Sequence, residues 1–84
     1  MKKINFGAIA IKDIEGNEQN FDIRKDFGNL LYMRGNSLPE CELGTAIYHS
    51  EGDIELNDEQ VGIVTAWIGQ YPYLIREAVK GKLS

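Results

Sequence analysis

The spacing of apolar residues changes near residue 25 of this chain, and that change limits the fold more than any other feature. Before it, apolar and polar positions alternate, as in Lys3-Ile4-Asn5-Phe6, which is the period of a β-strand. After it, apolar side chains recur three or four positions apart, which is the period of an α-helix. Strands followed by a run of helices predict an α+β fold.

The length of the chain allows one domain. With 84 residues, of which 43% are hydrophobic and 26% charged, the chain is too short to divide and too apolar to remain disordered. We therefore predict a single domain over 1–84, in which a β-hairpin over 2–24 packs on three to four short helices over 26–84. The alternating residues 53–56 could add a short third strand.

The first 24 residues predict two antiparallel strands joined by a turn. Residues 13–17, Asp-Ile-Glu-Gly-Asn, form the turn, since Gly and Asn accept a positive φ most readily. The alternation slips by one position at Gly7-Ala8, which predicts a β-bulge in the first strand. Phe21 and Ile23 then restore the alternation in the return strand.

Helix start and stop signals divide the rest of the chain. Asp26 is the predicted N-cap of a first helix that ends at Gly35. A capping box begins the second helix at Ser37, with Glu40 three positions on, and another begins the third at Asn57.

A break at Pro72 precedes the last helix, which we predict over 73–80. Gly81 followed by Leu83 predicts a Schellman end for this helix, and the helical spacing places Leu74 on its buried stripe.

Two glycines interrupt predicted helices. Gly44 and Gly62 each cost about 1 kcal/mol relative to Ala in a helix interior. We expect close packing of a neighbouring element at both positions, in preference to a ligand.

Charge is distributed unevenly along a chain whose net charge is −4. Duplex-binding domains concentrate cations on one face, because neutralising phosphates supplies most of their non-specific affinity. Here no Lys or Arg occurs over 35–75, so we do not expect nucleic acid to be the partner. The stretch is either a solvated acidic face or a docking surface for a basic partner, and its acids are Glu40, Glu42, Glu51, Asp53, Glu55, Asp58 and Glu59.

The reactive side chains predict no catalytic, cofactor or metal site. Cys41 and His49 are the only clear nucleophile–base candidates, but eight helical residues separate them by about 12 Å along the axis, and a dyad needs about 3 Å. Residues 53–64 place Asp58 and Val64 where an EF-hand loop needs a glycine and a bidentate glutamate. The dispersed glycines match no phosphate-binding loop.

An aromatic cluster is the strongest candidate for an interaction surface. Its three rings fall within seven residues, and Trp and Tyr are enriched among interface anchors. The same rings could instead complete a small core, and both alternatives stay open. The expected occupant is another protein, with a two-fold homodimer favoured. The predicted surface combines the aromatic residues with three acids: Trp67, Tyr71, Tyr73, Glu55, Asp58 and Glu59.

Two expectations concern location. The most apolar windows, 4–11 and 61–68, are far shorter than the roughly 18 to 20 residues that span a bilayer, so we expect no membrane association. Cys41 is the sole cysteine, which excludes an internal disulfide framework and fits a reducing cytoplasm.

Several short segments resemble uncharacterised proteins of tailed bacteriophages and prophages. These segments are the opening strand, the turn over 13–17, Ala46-Ile47-Tyr48, and Ile-Glu-Leu-Asn-Asp-Glu-Gln over 54–60. In those proteins a D-x-x-G-N turn precedes an A-x-x-I-Y-like helix and an acidic helix start. The resemblance implies a small accessory protein of a mobile element that acts by binding another protein, and it carries no catalytic residue over to this chain.

The sequence therefore predicts a non-enzymatic protein-interaction module. The alternative is a small regulator that contacts nucleic-acid phosphates with cations near the two ends of the chain, provided that these ends meet. Those cations are Lys2, Lys3, Lys12, Arg76, Lys80 and Lys82.

Overall fold

Four α-helices and two separate two-stranded sheets make up the protein in a computed structural model, which describes residues 2–84. The predicted α+β class is confirmed. In chain order the elements are β1 (Lys2–Ile4), β2 (Ile9–Lys12), β3 (Glu18–Phe21), α1 (Arg24–Arg34), α2 (Leu38–Tyr48), β4 (Ile54–Leu56), α3 (Asp58–Trp67), a single 3₁₀ turn (Ile68–Gln70) and α4 (Tyr73–Leu83).

The predicted hairpin turn is confirmed between β2 and β3. These strands pair antiparallel, with Ile9 opposite Phe21 and Lys12 opposite Glu18. The Asp13 carboxylate closes the turn, because its Oδ1 atom accepts hydrogen bonds from the backbone N–H groups of Glu15 and Asn17, both at 2.9 Å. Gly16 takes a positive φ of 88° there.

The predicted β-bulge at Gly7-Ala8 is wrong, because the chain turns between two separate strands at that point. The Asn5 side chain accepts the Gly7 N–H at 2.9 Å, and the Ala8 N–H donates to the Asn5 carbonyl at 3.1 Å. This turn lets both Phe6 and Ile9 enter the core, which one continuous alternating strand could not do.

The third strand predicted over 53–56 is confirmed as β4, and its partner is β1. The two strands pair antiparallel, with Lys2 opposite Leu56 and Ile4 opposite Ile54. The return strand ends earlier than predicted, since Ile23 lies outside β3 and is buried just before α1. Its carbonyl accepts the Phe27 N–H at 2.8 Å and so begins the helical bonding.

Helix caps follow the sequence signals to different degrees. The first helix starts two residues before the predicted cap Asp26, and the Asp22 carboxylate accepts the Arg24 N–H at 3.0 Å instead. The box at α3 is complete: Asn57 Oδ1 accepts the Gln60 N–H at 2.8 Å, and Gln60 Oε1 accepts the Asn57 N–H at 2.9 Å. The end of α1 at Gly35 is also confirmed.

The box at α2 is only half formed. The Ser37 side chain makes no hydrogen bond to a backbone N–H, and its hydroxyl donates to Glu40 Oε1 at 3.0 Å. The same Glu40 oxygen accepts the Asn36 N–H at 2.8 Å. Glu40 therefore holds the start of α2 without the serine cap that the sequence predicted.

The Schellman end predicted at Gly81 is wrong, because α4 continues through Gly81 to Leu83. Within residues 2–84 only Gly16 and Gly52 have a positive φ, so Gly81 has no left-handed conformation. The extra turn buries Leu83 to 6% exposure, whereas Leu74, predicted to be buried, is 51% exposed.

One core joins both sheets to the helices. The last helix packs against β1 and β2, and α1 packs against α2. The fully buried apolar residues come from every helix and from strands of both sheets: Ile4, Phe6, Ile9, Ile23, Phe27, Leu31, Leu43, Ile47, Leu56, Val64, Ile68, Val79 and Leu83.

The close packing predicted at Gly44 is confirmed, and that at Gly62 is wrong. A Cβ atom on Gly44 would lie 2.6 Å from the Gly28 carbonyl oxygen and 2.8 Å from the Tyr32 nitrogen. A Cβ atom on Gly62 would meet nothing within 4 Å in the described part of the chain. The first two helices thus cross almost backbone to backbone at a glycine pair.

Candidate functional site

Trp67, from the predicted interaction surface, is partly buried against the core and bonded within the chain. Its indole N–H donates to Glu40 Oε2 at 2.6 Å. This bond joins the end of α3 to the first turn of α2. Hydrogen bonds from the Trp67 indole, the Asn36 N–H and the Ser37 hydroxyl lower the pKa of Glu40 below its ordinary value.

Tyr71 is also partly buried and bonded within the chain. Its hydroxyl donates to Asp26 Oδ2 at 2.5 Å, and its ring meets the Phe27 ring edge-on with the centroids 5.6 Å apart. Burial, followed by the hydrogen bond to Asp26, raises the pKa of Tyr71. Trp67 therefore connects the end of α3 to α2, and Tyr71 connects the segment after α3 to α1.

Tyr73 is the one ring of the three that faces solvent. It begins α4 with 64% of its surface exposed. The guanidinium of Arg76 lies over the ring, 5.4 Å from its centroid, at a distance that allows a cation–π contact.

The three acids of the predicted surface lie apart from Trp67. Glu55 is in β4, where it faces Lys3 across the strand pair with Nζ and Oε1 3.9 Å apart. Asp58 and Glu59 form the first turn of α3, while Trp67 is its last residue. A ten-residue helix separates its two ends by about 14 Å, so the structure does not gather the six residues into one patch.

A different apolar surface lies on the outer side of the α1–α2 pair. Tyr32, Met33 and Leu38 are 57%, 75% and 70% exposed, although all three are apolar or aromatic. They flank the short link between the two helices. The sequence pattern does not mark these three residues, because helical spacing identifies only the inward stripes of α1 and α2.

The glycine crossing forms the floor of a groove beside these residues. The groove has a volume of about 280 Å³, and Asn29, Tyr32 and Thr45 in its lining are exposed to solvent. Tyr32 and Tyr48 line it, while their neighbours Leu31 and Ile47 are buried in the core. Its full lining is Gly28, Asn29, Tyr32, Gly44, Thr45, Tyr48 and His49. We call this groove, together with Met33 and Leu38, the outer hairpin face.

The groove differs in charge from the rest of this acidic chain. None of the described residues that line the groove has a carboxylate. The two helices that form the groove have net charges of opposite sign. The first, α1, contains three cations and one carboxylate, and α2 contains two carboxylates and no cation.

Cys41 and His49 do not form a catalytic pair. Cys41 lies in the second turn of α2, and His49 follows its last residue, which keeps them about 12 Å apart along the axis. Cys41 Sγ is instead 3.5 Å from the Tyr32 carbonyl oxygen, where the thiol is a weak donor to the backbone of α1.

Residues near both ends of the described chain line a second, smaller cleft. Its volume is about 190 Å³, and residues of β1, β2 and α4 line it. Lys3 and Lys82 both contribute to its wall, and so does Asp53.

No group of three or more His, Cys, Asp or Glu side chains in residues 2–84 could hold a metal ion. None of the helices in the described range has the length and apolar character needed to cross a membrane.

Comparison with known proteins identifies no relative. Neither the protein-family models, nor the curated proteins, nor the solved structures that were searched contain a match to this chain.

Proposed function

We propose that this protein is a small non-enzymatic interaction module that binds another protein chain through the outer hairpin face. The observation that carries this proposal is the exposure of Tyr32, Met33 and Leu38 beside a groove without carboxylates. Exposed apolar and aromatic side chains close together on a small domain are typical of a binding surface.

The composition of the face favours a protein over a small molecule or a nucleic acid. Interface centres are enriched in Tyr and Met and depleted in charged residues, as this face is. The groove has a volume of about 280 Å³, just below the range of about 300 to 1,000 Å³ for pockets that bind drug-sized ligands. An open groove of that size suits one or two side chains of a partner.

The proposed contact differs from the surface predicted from the sequence. Trp67 and Tyr71 already use their polar atoms in bonds to Glu40 and Asp26, so they are less free to anchor a partner. Tyr73 stays exposed and is retained as a comparison position in the test below.

The accessory role in a phage or other mobile element belongs to the same proposal. It rests on the resemblance of the turn over 13–17 and of the helix start over 54–60 to short phage and prophage proteins.

Nucleic-acid regulation is a second candidate function, because one specific observation favours it. Lys3 and Lys82 line the same cleft, which meets the condition that the two ends of the chain converge. Against it, Asp53 lines that cleft too, and Lys3 lies 3.9 Å from Glu55. Sub-micromolar duplex binding at about 150 mM salt would favour this second function over the first.

Site-specific photo-cross-linking in the cells that make the protein tests the proposed function. A benzoyl-phenylalanine at position 32 should give one discrete adduct with a protein chain. The same residue at position 14 is the matched control, because Ile14 is fully exposed in the β2–β3 turn and should give none.

Two results would contradict the proposal. One is equal labelling from positions 32 and 14, which would mean that the contacts are random. The other is a discrete adduct only from position 73, which would move the contact to the surface predicted from the sequence.

A further inference from the structure

The smaller cleft lies between two strands that do not pair with each other. Its walls include residues 3–5, from β1 and the position after it, and residues 8–10, from the start of β2 and the position before it. The partner of β1 is β4 and the partner of β2 is β3, so one edge of each strand has no strand beside it. Ala78 and Lys82 of α4 form the third wall.

The hydrogen bonds of the β2–β3 turn show which backbone groups of β2 are unpaired. The Asp13 N–H donates to the Asn17 carbonyl oxygen at 2.9 Å. Because hydrogen-bonded and non-hydrogen-bonded positions alternate along an antiparallel pair, the N–H and C=O groups of Ala10 and Lys12 point away from β3. Neither residue makes a backbone hydrogen bond elsewhere in residues 2–84, and Ala10 lines the cleft. The cleft therefore contains an unpaired strand edge.

The side chains along this edge leave it open to another strand. Natural edges are commonly protected by proline, by charged side chains or by a bulge. Residues 8–10 have none of these, since Ala8 and Ala10 are exposed and Ile9 is buried. Unpaired backbone groups beside small side chains are the arrangement to which an extended peptide can add.

The two faces of β2 specify the side chains of a strand that pairs with it. Residues directly opposite each other on paired strands have their side chains on the same face. Ile9 is buried and Ile11 is half-buried on one face, whereas Ala10 and Lys12 are exposed on the other. An added strand therefore needs apolar residues opposite the two isoleucines and polar residues between them.

The charge of the lining favours a carboxylate at the polar positions. Lys3 and Lys82 line the cleft, against the single carboxylate of Asp53 among the described residues. Lys3 lies 3.9 Å from Glu55, with both side chains more than half exposed, whereas Lys82 forms no salt bridge within residues 2–84. A carboxylate on the added strand can bind Lys82, and a cation there would be repelled.

The walls of the cleft admit a single extended segment in preference to the edge of a second folded copy. On one side of the β2 edge lies β1, and α4 packs against both strands. A folded sheet that approached the edge would bring its own neighbouring strands and helices against these walls. An extended peptide has no such neighbours.

We infer that the smaller cleft binds an extended segment of another protein, with alternating apolar and acidic residues, which adds as a strand to the free edge of β2. Main-chain hydrogen bonds to Ala10 supply affinity, and the alternating side chains supply selectivity. This site is separate from the outer hairpin face, so the inference goes beyond the proposed function.

An NMR titration of the full chain with the peptide acetyl-Thr-Val-Glu-Val-Glu-Thr-amide tests the inference. The amide shift changes should centre on Ala10, and its N–H should exchange with solvent at least about fivefold more slowly at saturation, because it becomes hydrogen-bonded. The dissociation constant should be below about 1 mM, as for a small transient interface. A chain that shows no shift change up to about 5 mM peptide would overturn the inference.

Two proline variants test which edge the peptide uses. Ala10→Pro removes the N–H that points into the cleft and should weaken binding at least about tenfold. Asn20→Pro is the matched control, because Asn20 lies opposite Ala10 and its N–H points away from β2 at the other edge of the hairpin. This variant should bind like the wild type. Loss of binding in Asn20→Pro alone would mean that the peptide adds to β3, which contradicts the inference.

A modified peptide tests the main-chain bonds without changing the protein. Methylation of the four central backbone nitrogens of the peptide removes their N–H groups and should abolish binding to the wild-type chain. Binding that survives this methylation would show that side chains alone hold the peptide, and the strand addition would then be wrong even if Ala10→Pro fails to fold.

The charge preference has its own pair of variants. Lysine in place of both glutamates of the peptide should weaken binding at least about fivefold. Lys82→Glu should weaken binding of the glutamate peptide about threefold, whereas Lys80→Glu, which changes another exposed cation in the last turn of α4, should leave it unchanged. Inorganic phosphate that shifts the same amides and displaces the peptide at equal concentration would assign the cleft to small anions and overturn the inference.

Discussion

Both oxygens of the Glu40 carboxylate are engaged at the point where α2 meets α3. Oε1 accepts hydrogen bonds from the Asn36 N–H and the Ser37 hydroxyl, and Oε2 accepts one from the Trp67 indole. All three donors favour the ionised carboxylate, so its pKa in the folded protein lies below the value of 4.5 expected in the unfolded chain. The contribution of Glu40 to stability is therefore complete above pH 4.5, and it is lost as the pH falls through the folded-state pKa.

We expect Glu40→Gln to reduce the loss of stability on acidification. The variant lacks the titration, so its midpoint of urea unfolding should fall less than that of the wild type between pH 7 and pH 3, with Trp67 emission as the probe. Hydrogen bonds also lower the pKa values of Asp13 and Asp22, and both carboxylates are present in the variant and in the wild type, so the difference between the two proteins in the fall of the midpoint reports on Glu40. Equal falls in both proteins would show that the Glu40 bonds are not formed in solution.

At the scale of elements, the crossing of α1 and α2 depends on two glycines with no room for a side chain. A Cβ atom on Gly44 would lie 2.6 Å from the Gly28 carbonyl oxygen, and backbone atoms cannot move aside as a flexible side chain can. The helix pair must then separate, which also widens the groove of the outer hairpin face.

We expect Gly44→Ala to lower the free energy of unfolding by about 1 to 3 kcal/mol, because overpacking outweighs the higher helix propensity of alanine. Gly62→Ala is the matched control inside α3, where a Cβ atom meets nothing within 4 Å among the described residues. It should stabilise the protein by up to about 1 kcal/mol. Urea unfolding curves of both variants measure the two effects, and a stabilised Gly44→Ala would contradict the close crossing.

How much of this architecture could be predicted depends on how local each interaction is. The turn bonds of Asp13 and the capping box of Asn57 join residues no more than four positions apart, so the sequence specifies them. The pairing of Ile4 with Ile54 and the meeting of two glycine-containing helices depend on the whole fold. The outer hairpin face was missed for this reason: the exposure of Tyr32 follows from how α1 and α2 pair.

At the scale of the whole molecule, α4 is the element that joins the two sheets. It packs against β1 of one sheet and β2 of the other, and isolated two-stranded sheets are at best marginally stable. Val79 and Leu83 on its inner side are buried in the common core, whereas Leu74 on the same helix is largely exposed.

We expect Leu83→Ala to cost about 2 to 3 kcal/mol of unfolding free energy, because it leaves a cavity beneath both sheets. Leu74→Ala should change that free energy by less than about 0.5 kcal/mol, as for most exposed positions. Thermal and urea unfolding of the two variants distinguish them. Equal effects would mean that α4 ends near Gly81, as the sequence had predicted.

The cleft between Lys3 and Lys82 has a topological consequence. Residues near the two ends of the described chain are neighbours there, so a short connecting peptide could close the backbone into a ring. New termini could then be opened within the exposed turn at Ile14, which lies outside every strand and helix. A circularly permuted chain would keep the partner of each strand, because the order of elements around the ring would be the same.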